Sequence, residues 1–268
     1  MSVKKSGKLK IKSEKFLLFL LLPVLSFALN ISVTVLPQKG VVKAIAGKKA
    51  NVYIMVPPGS SPATYSIGFK ELKNIKKSDI YFTIGVPFDK KYLSKIKEVN
   101  PDIKVVYFGK YLNKNSNPHI WLSPAKLQLQ AKVVLDELIK ADPENKKFYL
   151  NNYVKFIDSL ASLEKEGFLN IKQKSFITFH PAFYHFAEDF HIKEIALEKE
   201  GKEPSFSYLN KILKIAKENS IKTVIISPEF PKKYAEIIAQ KIGAKTYVIS
   251  PLNEDPRITI KKLIKALK

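Results

Sequence analysis

The chain has no cysteine among its 268 residues and a single arginine, Arg257. Without a thiol there is no disulfide, no thiolate metal site, no cysteine nucleophile and no lipid-bearing cysteine behind a leader. The scarcity of arginine matters because the formal charge is +22. Proteins that read bases and phosphates lean on arginine's bidentate fork, whereas here the positive charge is almost all lysine. Six lysines less Glu14 in the first 28 residues supply +5 of it, leaving +17. The remaining lysines alternate with Glu and Asp along amphipathic segments, as on a solvated helix surface, and no nucleic acid is expected as a partner. A membrane-length apolar run is missing too: Phe16 to Leu29 covers about 14 residues, broken by Pro23, against roughly 20 needed to cross a bilayer. Also absent are a Gly-x-Ser-x-Gly elbow, a glycine-rich phosphate loop and a His-Glu-x-x-His helix, so no enzyme signature is present.

What is present begins with Lys4, Lys5, Lys8, Lys10, Lys12 and Lys15 ahead of that apolar run, followed by polar Asn30. This is the pattern of a signal peptide over residues 1–28. Ser26 and Ala28 are the small residues before the cut, giving a mature chain from near Leu29 that is expected to be exported, soluble and periplasmic. About 240 residues with 46% hydrophobic content suffice for one large domain or two lobes.

Short β-rich runs alternate with helical patterns, the signature of βα units around parallel sheets. Ile31 to Leu36, Asn51 to Val56, Asp79 to Ile84 and Lys104 to Phe108 read as strands. Gly40 to Ala46, Phe69 to Ile75 and Lys90 to Val99 read as the helices among them, and together they form a lobe over residues 29–123. From 124 to 168 strand signals stop, and Ser123-Pro124 and Asp142-Pro143 each mark a helix start. The second helix carries Tyr149, Tyr153, Phe156, Leu160 and Leu163 at helical spacing, with Gly167 suited to a left-handed position past its end. About 24 residues at 1.5 Å each gives a helix on the order of 36 Å, long enough to span two lobes. Alternation resumes over 169–268 with strands at Ser175 to Phe179, Lys193 to Leu197, Thr223 to Ser227 and Thr246 to Ser250. The pattern predicts an α/β protein: two βα lobes with parallel sheets, joined by a long backbone helix.

Of four histidines, two are candidate ligands. His119 lies just before the Ser123-Pro124 cap, and His180 at the carboxyl end of a predicted strand, where ligands gather in open parallel sheets. Both therefore fall where a cleft between lobes would be. Neutral imidazole suits zinc, copper, iron and nickel; the plainer reading of either histidine alone is a loop residue bonding a carbonyl. His185, five positions past His180 on one expected helix, and His191 near that helix's end read as structural.

Five strings now stand in order: Val56-Pro57-Pro58-Gly59-Ser60-Ser61-Pro62-Ala63-Thr64-Tyr65, Ile84-Gly85-Val86-Pro87-Phe88, Asn117-Pro118-His119-Ile120-Trp121-Leu122-Ser123-Pro124, His180-Pro181-Ala182-Phe183 and Gly201-Lys202-Glu203-Pro204-Ser205. Together they resemble the solute-binding proteins of zinc and manganese ABC importers, the ZnuA and TroA type. The resemblance implies two βα lobes on a rigid helix, with a divalent metal in the cleft held from both sides. It implies His119 and His180 as ligands, zinc or manganese as the transported ligand, a membrane permease as partner, and a monomeric receptor with no catalytic residue.

Two positions depart from the family pattern. Where the family has Ser-Pro-His this chain has Ser61-Pro62-Ala63, and its late Asp-Pro-Leu string reads Ser250-Pro251-Leu252. The histidine-rich loop common in zinc-specific members is also missing. Two imidazoles alone do not complete a tetrahedral zinc site. Three readings follow: further oxygens from Tyr65, Glu229 or Ser250 complete the shell; the cleft takes another solute; or the chain has lost its metal and serves as a scaffold or sensor.

Overall fold

The computed structural model describes residues 28–110, 117–198 and 202–268. Residues 1–27 of the expected signal peptide lie outside the described residues. No helix among them is long and apolar enough to cross a membrane.

The first lobe holds strands β1 (Leu29–Val33), β2 (Ala50–Ile54), β3 (Ile80–Thr83) and β4 (Lys104–Tyr107), with helices α1 (Leu36–Ala46), α2 (Phe69–Lys76) and α3 (Pro87–Val99) between them. Two long helices follow, α4 (Pro124–Ala141) and α5 (Lys146–Asn170). The second lobe holds β5 (Ser175–Thr178), α6 (Tyr184–Asp189), β6 (Lys193–Ala196), α7 (Phe206–Glu218), β7 (Thr223–Ile226), α8 (Lys233–Ile242), β8 (Lys245–Val248) and α9 (Pro256–Ala266). Each sheet is four-stranded and wholly parallel, in the orders β2-β1-β3-β4 and β6-β5-β7-β8. Three of the four inner strands, β3, β5 and β7, are buried along their whole length, which is why they read as apolar runs rather than alternating ones. The edge strand β8 is short, lysine-bearing and largely exposed, a form that resists pairing with other chains.

All eight predicted strands are present. The differences lie at element ends. Leu36 continues an apolar run and reads as strand, but α1 begins there with Pro37 in its first turn, where proline's missing N–H costs no hydrogen bond. Gly167 is not the end of α5, which runs on to Asn170. A Cβ at position 167 would lie 2.2 Å from the Phe190 ring, so glycine there allows close approach of α5 to the second lobe. Gly243 does take the left-handed position after α8, with φ of 66°.

The larger apolar core is shared by both lobes. It joins Ile31, Val33 and Phe82 of the first sheet, Leu127, Val134 and Tyr149 of α4 and α5, and Phe176, Phe183, Ile225 and Leu263 of the second lobe. A smaller cluster, including Ile177, Ile212, Val224 and Ile238, fills the outer side of the second sheet. Helix α5 packs on α1, α4 and α9 and so bridges the lobes. At the start of α4, Ser123 Oγ donates to Asp189 Oδ2 (2.5 Å) and accepts from the Lys126 N–H (2.9 Å), fastening α6 to the connection. Such a continuous core resists hinge bending.

Close approach across the lobes also fixes Gly40. A Cβ there would stand 1.7 Å from the Glu254 carbonyl oxygen, and backbone cannot yield as a side-chain tip can. Gly40→Ala is expected to cost about 2 kcal/mol through this clash, outweighing alanine's better helix propensity of about 1 kcal/mol. For a chain of this size that lowers Tm by roughly 4–8 °C, which calorimetry would detect.

On the first lobe, the turn leaving β3 is organised by buried Asp89. Its Oδ1 accepts from Thr34 Oγ1 (2.5 Å) and Tyr81 OH (2.6 Å), and its Oδ2 from the N–H groups of Ile84 (2.9 Å) and Gly85 (2.7 Å). The turn leaving β3 is thereby tied to β1 and α3.

Candidate metal centre

His119 comes from the segment between β4 and α4, and His180 from the turn after β5. Their rings meet edge to face with centroids 5.0 Å apart. Sequence positions 61 apart, on opposite lobes, thus form one pair.

Each ring is oriented through Nδ1. His119 Nδ1 lies 2.8 Å from Asn117 Oδ1. That amide oxygen only accepts, and it also receives the His119 backbone N–H at 2.9 Å, so the proton sits on Nδ1 and Nε2 carries the lone pair. His180 Nδ1 lies 2.8 Å from Glu198 Oε1, which assigns the same tautomer. A carboxylate or amide on one imidazole nitrogen with the other left as a donor is the usual dress of a metal-ligating histidine. Burial holds His119 far below the ordinary imidazole value of 6.5, at about 3, with His180 and His185 nearby adding to the effect. At neutral pH that ring is uncharged, so no proton need leave it for a cation to bind.

Aromatic walls close the site. Phe230 stacks on His180 with centroids 4.5 Å apart and planes at 22°. The Trp121 ring lies 5.1 Å from His119, and its Nε1–H donates to the Pro251 carbonyl at 2.8 Å.

Of the other sequence candidates, Tyr65 packs against Phe88. Burial, and then the Glu71 carboxylate that its hydroxyl bonds, raise its pKa, so that hydroxyl is directed at Glu71. Ser250 Oγ bonds Glu229 Oε1 and accepts from the Leu252 N–H at 3.0 Å. Ala63 is exposed in the loop between β2 and α2. Among the described residues no group of three or more His, Cys, Asp or Glu side chains stands together as a ready metal cage.

His185 and His180 do not share a helix, because α6 starts at Tyr184. His185 is fully buried, with Nδ1 2.8 Å from Glu188 Oε2 and Nε2 3.0 Å from the Asn117 carbonyl, so both of its nitrogens are occupied. His191 sits past α6 with φ of 53°.

Sequence reasoning missed Asn117 and Glu198. Asn117 also donates Nδ2–H to the Pro181 carbonyl at 2.8 Å, so one residue aligns His119, holds His185 and ties the two lobes at the pair. Its place two residues before His119, in a motif already conspicuous, was the available signal. Glu198 had none, since it meets His180 only through the pairing of β5 with β6.

The profile of the ZnuA family, described as zinc-uptake complex component A, periplasmic, matches residues 31–267. The zinc-binding lipoprotein AdcA of Streptococcus pneumoniae (strain ATCC BAA-255 / R6) is 28% identical over 277 residues, covering 90% of this chain and 55% of its own length. The chain thus spans about half the length of that relative. The high-affinity zinc uptake system protein ZnuA of Bacillus subtilis (strain 168) is 27% identical over 250 residues, covering 84% of this chain and 78% of its own. A crystal structure of ZnuA superimposes with a TM-score of 0.83 at 30% identity, over 90% of this chain and all (100%) of that one. The laminin-binding adhesin Lmb of Streptococcus agalactiae, at 22% identity and a TM-score of 0.78 over 90% of this chain and 100% of its own, shares the fold. A profile match running from β1 to the end of α9, on two parallel-sheet lobes bridged by α5, shows that the chain belongs to the ZnuA family.

Proposed function

We propose that the chain is an exported receptor that captures a divalent metal between its lobes and delivers it to the membrane permease of an ABC importer. Zinc is the first choice of cargo and manganese the second, and the receptor works as a monomer and not as an enzyme. The observation that carries this reading is the His119–His180 pair: rings 5.0 Å apart, each bonded at Nδ1 by an acceptor, with both Nε2 atoms left as donors. Relatives named for zinc binding and zinc uptake support the choice of metal.

The test is the metal content of protein purified without chelator, and the thermal shift on adding zinc or manganese, since a ligand that binds only the folded state stabilises it. One bound equivalent and an upward shift are expected. Protein that carries no metal and shows no shift with either ion would favour the scaffold or other-solute reading. Ala63→His adds a third imidazole where the family pattern carries one, and is expected to tighten zinc binding by at least about tenfold, worth about 1.4 kcal/mol.

A further inference from the structure

We propose that Glu229 is the carboxylate that completes this chain's metal site, turning from Ser250 to the imidazole pair when the ion arrives. The inference rests on the receptor reading above and names the ligand that reading leaves open.

Glu229 lies in the turn after β7, closed by the Phe230 N–H on the Ser227 carbonyl at 3.1 Å. Its Oε1 takes the Ser250 hydroxyl, while its Oε2 is buried and meets no hydrogen-bond partner. A carboxylate oxygen withdrawn from water without a partner is costly, on the order of 1–3 kcal/mol or more, and rare enough to need a cause. A cation is the partner such an oxygen lacks. Ser250 cannot fill that role as it stands, because its oxygen both donates to Glu229 and accepts from the Leu252 N–H. The hydroxyl instead holds the carboxylate in place.

A closed circuit of contacts brings Glu229 to the histidines. Ser250 bonds Glu229; Phe230, the next residue, stacks on His180; His180 meets His119; His119 lies against Trp121; and the Trp121 indole bonds Pro251, the residue after Ser250. The carboxylate is thus linked through its sequence neighbour Phe230 and its partner Ser250 to the two imidazoles. It is not within a three-ligand group in this conformation, so ligation requires the side chain to leave Ser250 and turn inward. Two imidazoles and a carboxylate make a hard-enough set for zinc or manganese, with room for one more oxygen.

The experiment measures zinc affinity of the full mature chain by competition with a chromophoric chelator, and records the ligand-field spectrum of the cobalt(II) form. Glu229→Gln keeps the shape and the Ser250 bond but removes the charge; it is expected to weaken zinc binding by at least about 30-fold and to alter the cobalt spectrum. Ser250→Asp in that background places a carboxylate beside the one removed, and is expected to restore most of the loss. Recovered affinity in this double variant, which carries the same Glu229→Gln change, separates a lost ligand from a folding defect. Glu218→Gln, at the exposed end of α7, serves as the control and should change neither readout. A parent protein that binds zinc, with Glu229→Gln within about threefold of it and an unchanged cobalt spectrum, overturns this proposal alone. A parent that binds neither zinc nor cobalt overturns the receptor reading and this proposal with it.

Discussion

Zinc at about a hundred times its dissociation constant stabilises a folded receptor by about 2.7 kcal/mol, and His180→Ala is expected to forfeit all of that stabilisation. The reason is the shortage of ligands. Zinc sites normally have three or four protein ligands, whereas here two imidazoles come together and position 63 is alanine, so even with the Glu229 carboxylate proposed above there is no ligand to spare. Removing one leaves a single nitrogen. The expected fall in affinity is at least about 100-fold, beyond the 10–100-fold typical of losing an outer partner. Glu198→Gln, which leaves His180 in place but weakens its hold on Nδ1, should fall within that smaller range. The comparison separates a ligand from a ring that merely packs, because a packing role would make the alanine variant less stable in the apo form without touching the zinc-dependent increment. Thermal unfolding with and without zinc reads both quantities, and an undiminished increment in His180→Ala would remove the residue from the site.

The second large effect concerns pH. Glu194 on β6 accepts from Thr178 Oγ1 at 2.9 Å and from the Phe183 N–H at 3.1 Å, both on Oε1. Its Oε2 is buried without a partner, and burial pushes the carboxyl from 4.5 up to about 8 against the opposing pull of those two bonds. The folded chain therefore keeps a proton that the unfolded chain releases above pH 4.5. Stability falls as pH rises from about 4.5 to about 8 and levels off beyond, because between those values the unfolded state binds fewer protons. At about 1.4 kcal/mol per pH unit, the full difference is on the order of 5 kcal/mol. Glu194→Gln keeps the acceptor and cannot ionise, so its stability should lack this decline. Above pH 8 the variant should be the more stable protein, by an amount that shrinks toward zero near pH 4.5. Parallel stability curves for parent and variant from pH 5 to 9 would show that Glu194 does not titrate this way. Since Glu194 bonds the Phe183 N–H, it also steadies the turn that carries His180, and the variant is expected to retain zinc binding at pH 7.

Local signals made the architecture legible, and tertiary ones did not. Runs such as Ile80–Thr83 and Thr223–Ile226 are apolar because the inner strands of parallel sheets are buried on both faces, so these strands could be read directly. The long helix announced itself by Tyr149, Phe156 and Leu160 along one stripe. Element ends were less legible: Pro37 starts a helix inside what looks like a continuing strand, and Gly167 serves the Phe190 contact where a glycine near a helix end suggests a cap. Both meanings depend on a neighbour distant in the chain. The same holds for the site. His119 and His180 stand out through their motifs and their place at strand ends. The residues that make them usable do not, because Asn117 reaches Pro181 and Trp121 reaches Pro251, across 64 and 130 positions. Spacing within a segment carries no trace of such pairings. It likewise could not distinguish Tyr65, whose hydroxyl turns to Glu71, from Glu229, whose buried oxygen lacks a partner.

The central claim is that one divalent ion sits between the Nε2 atoms of His119 and His180. X-ray absorption at the zinc edge, on the mature chain loaded with one equivalent, tests it most directly. The account predicts a first shell containing two imidazole nitrogens at about 2.0–2.1 Å with oxygen completing it, and loss of one imidazole's scattering in His119→Ala or His180→Ala loaded at high zinc. A shell without imidazole, or one that neither substitution changes, would contradict it.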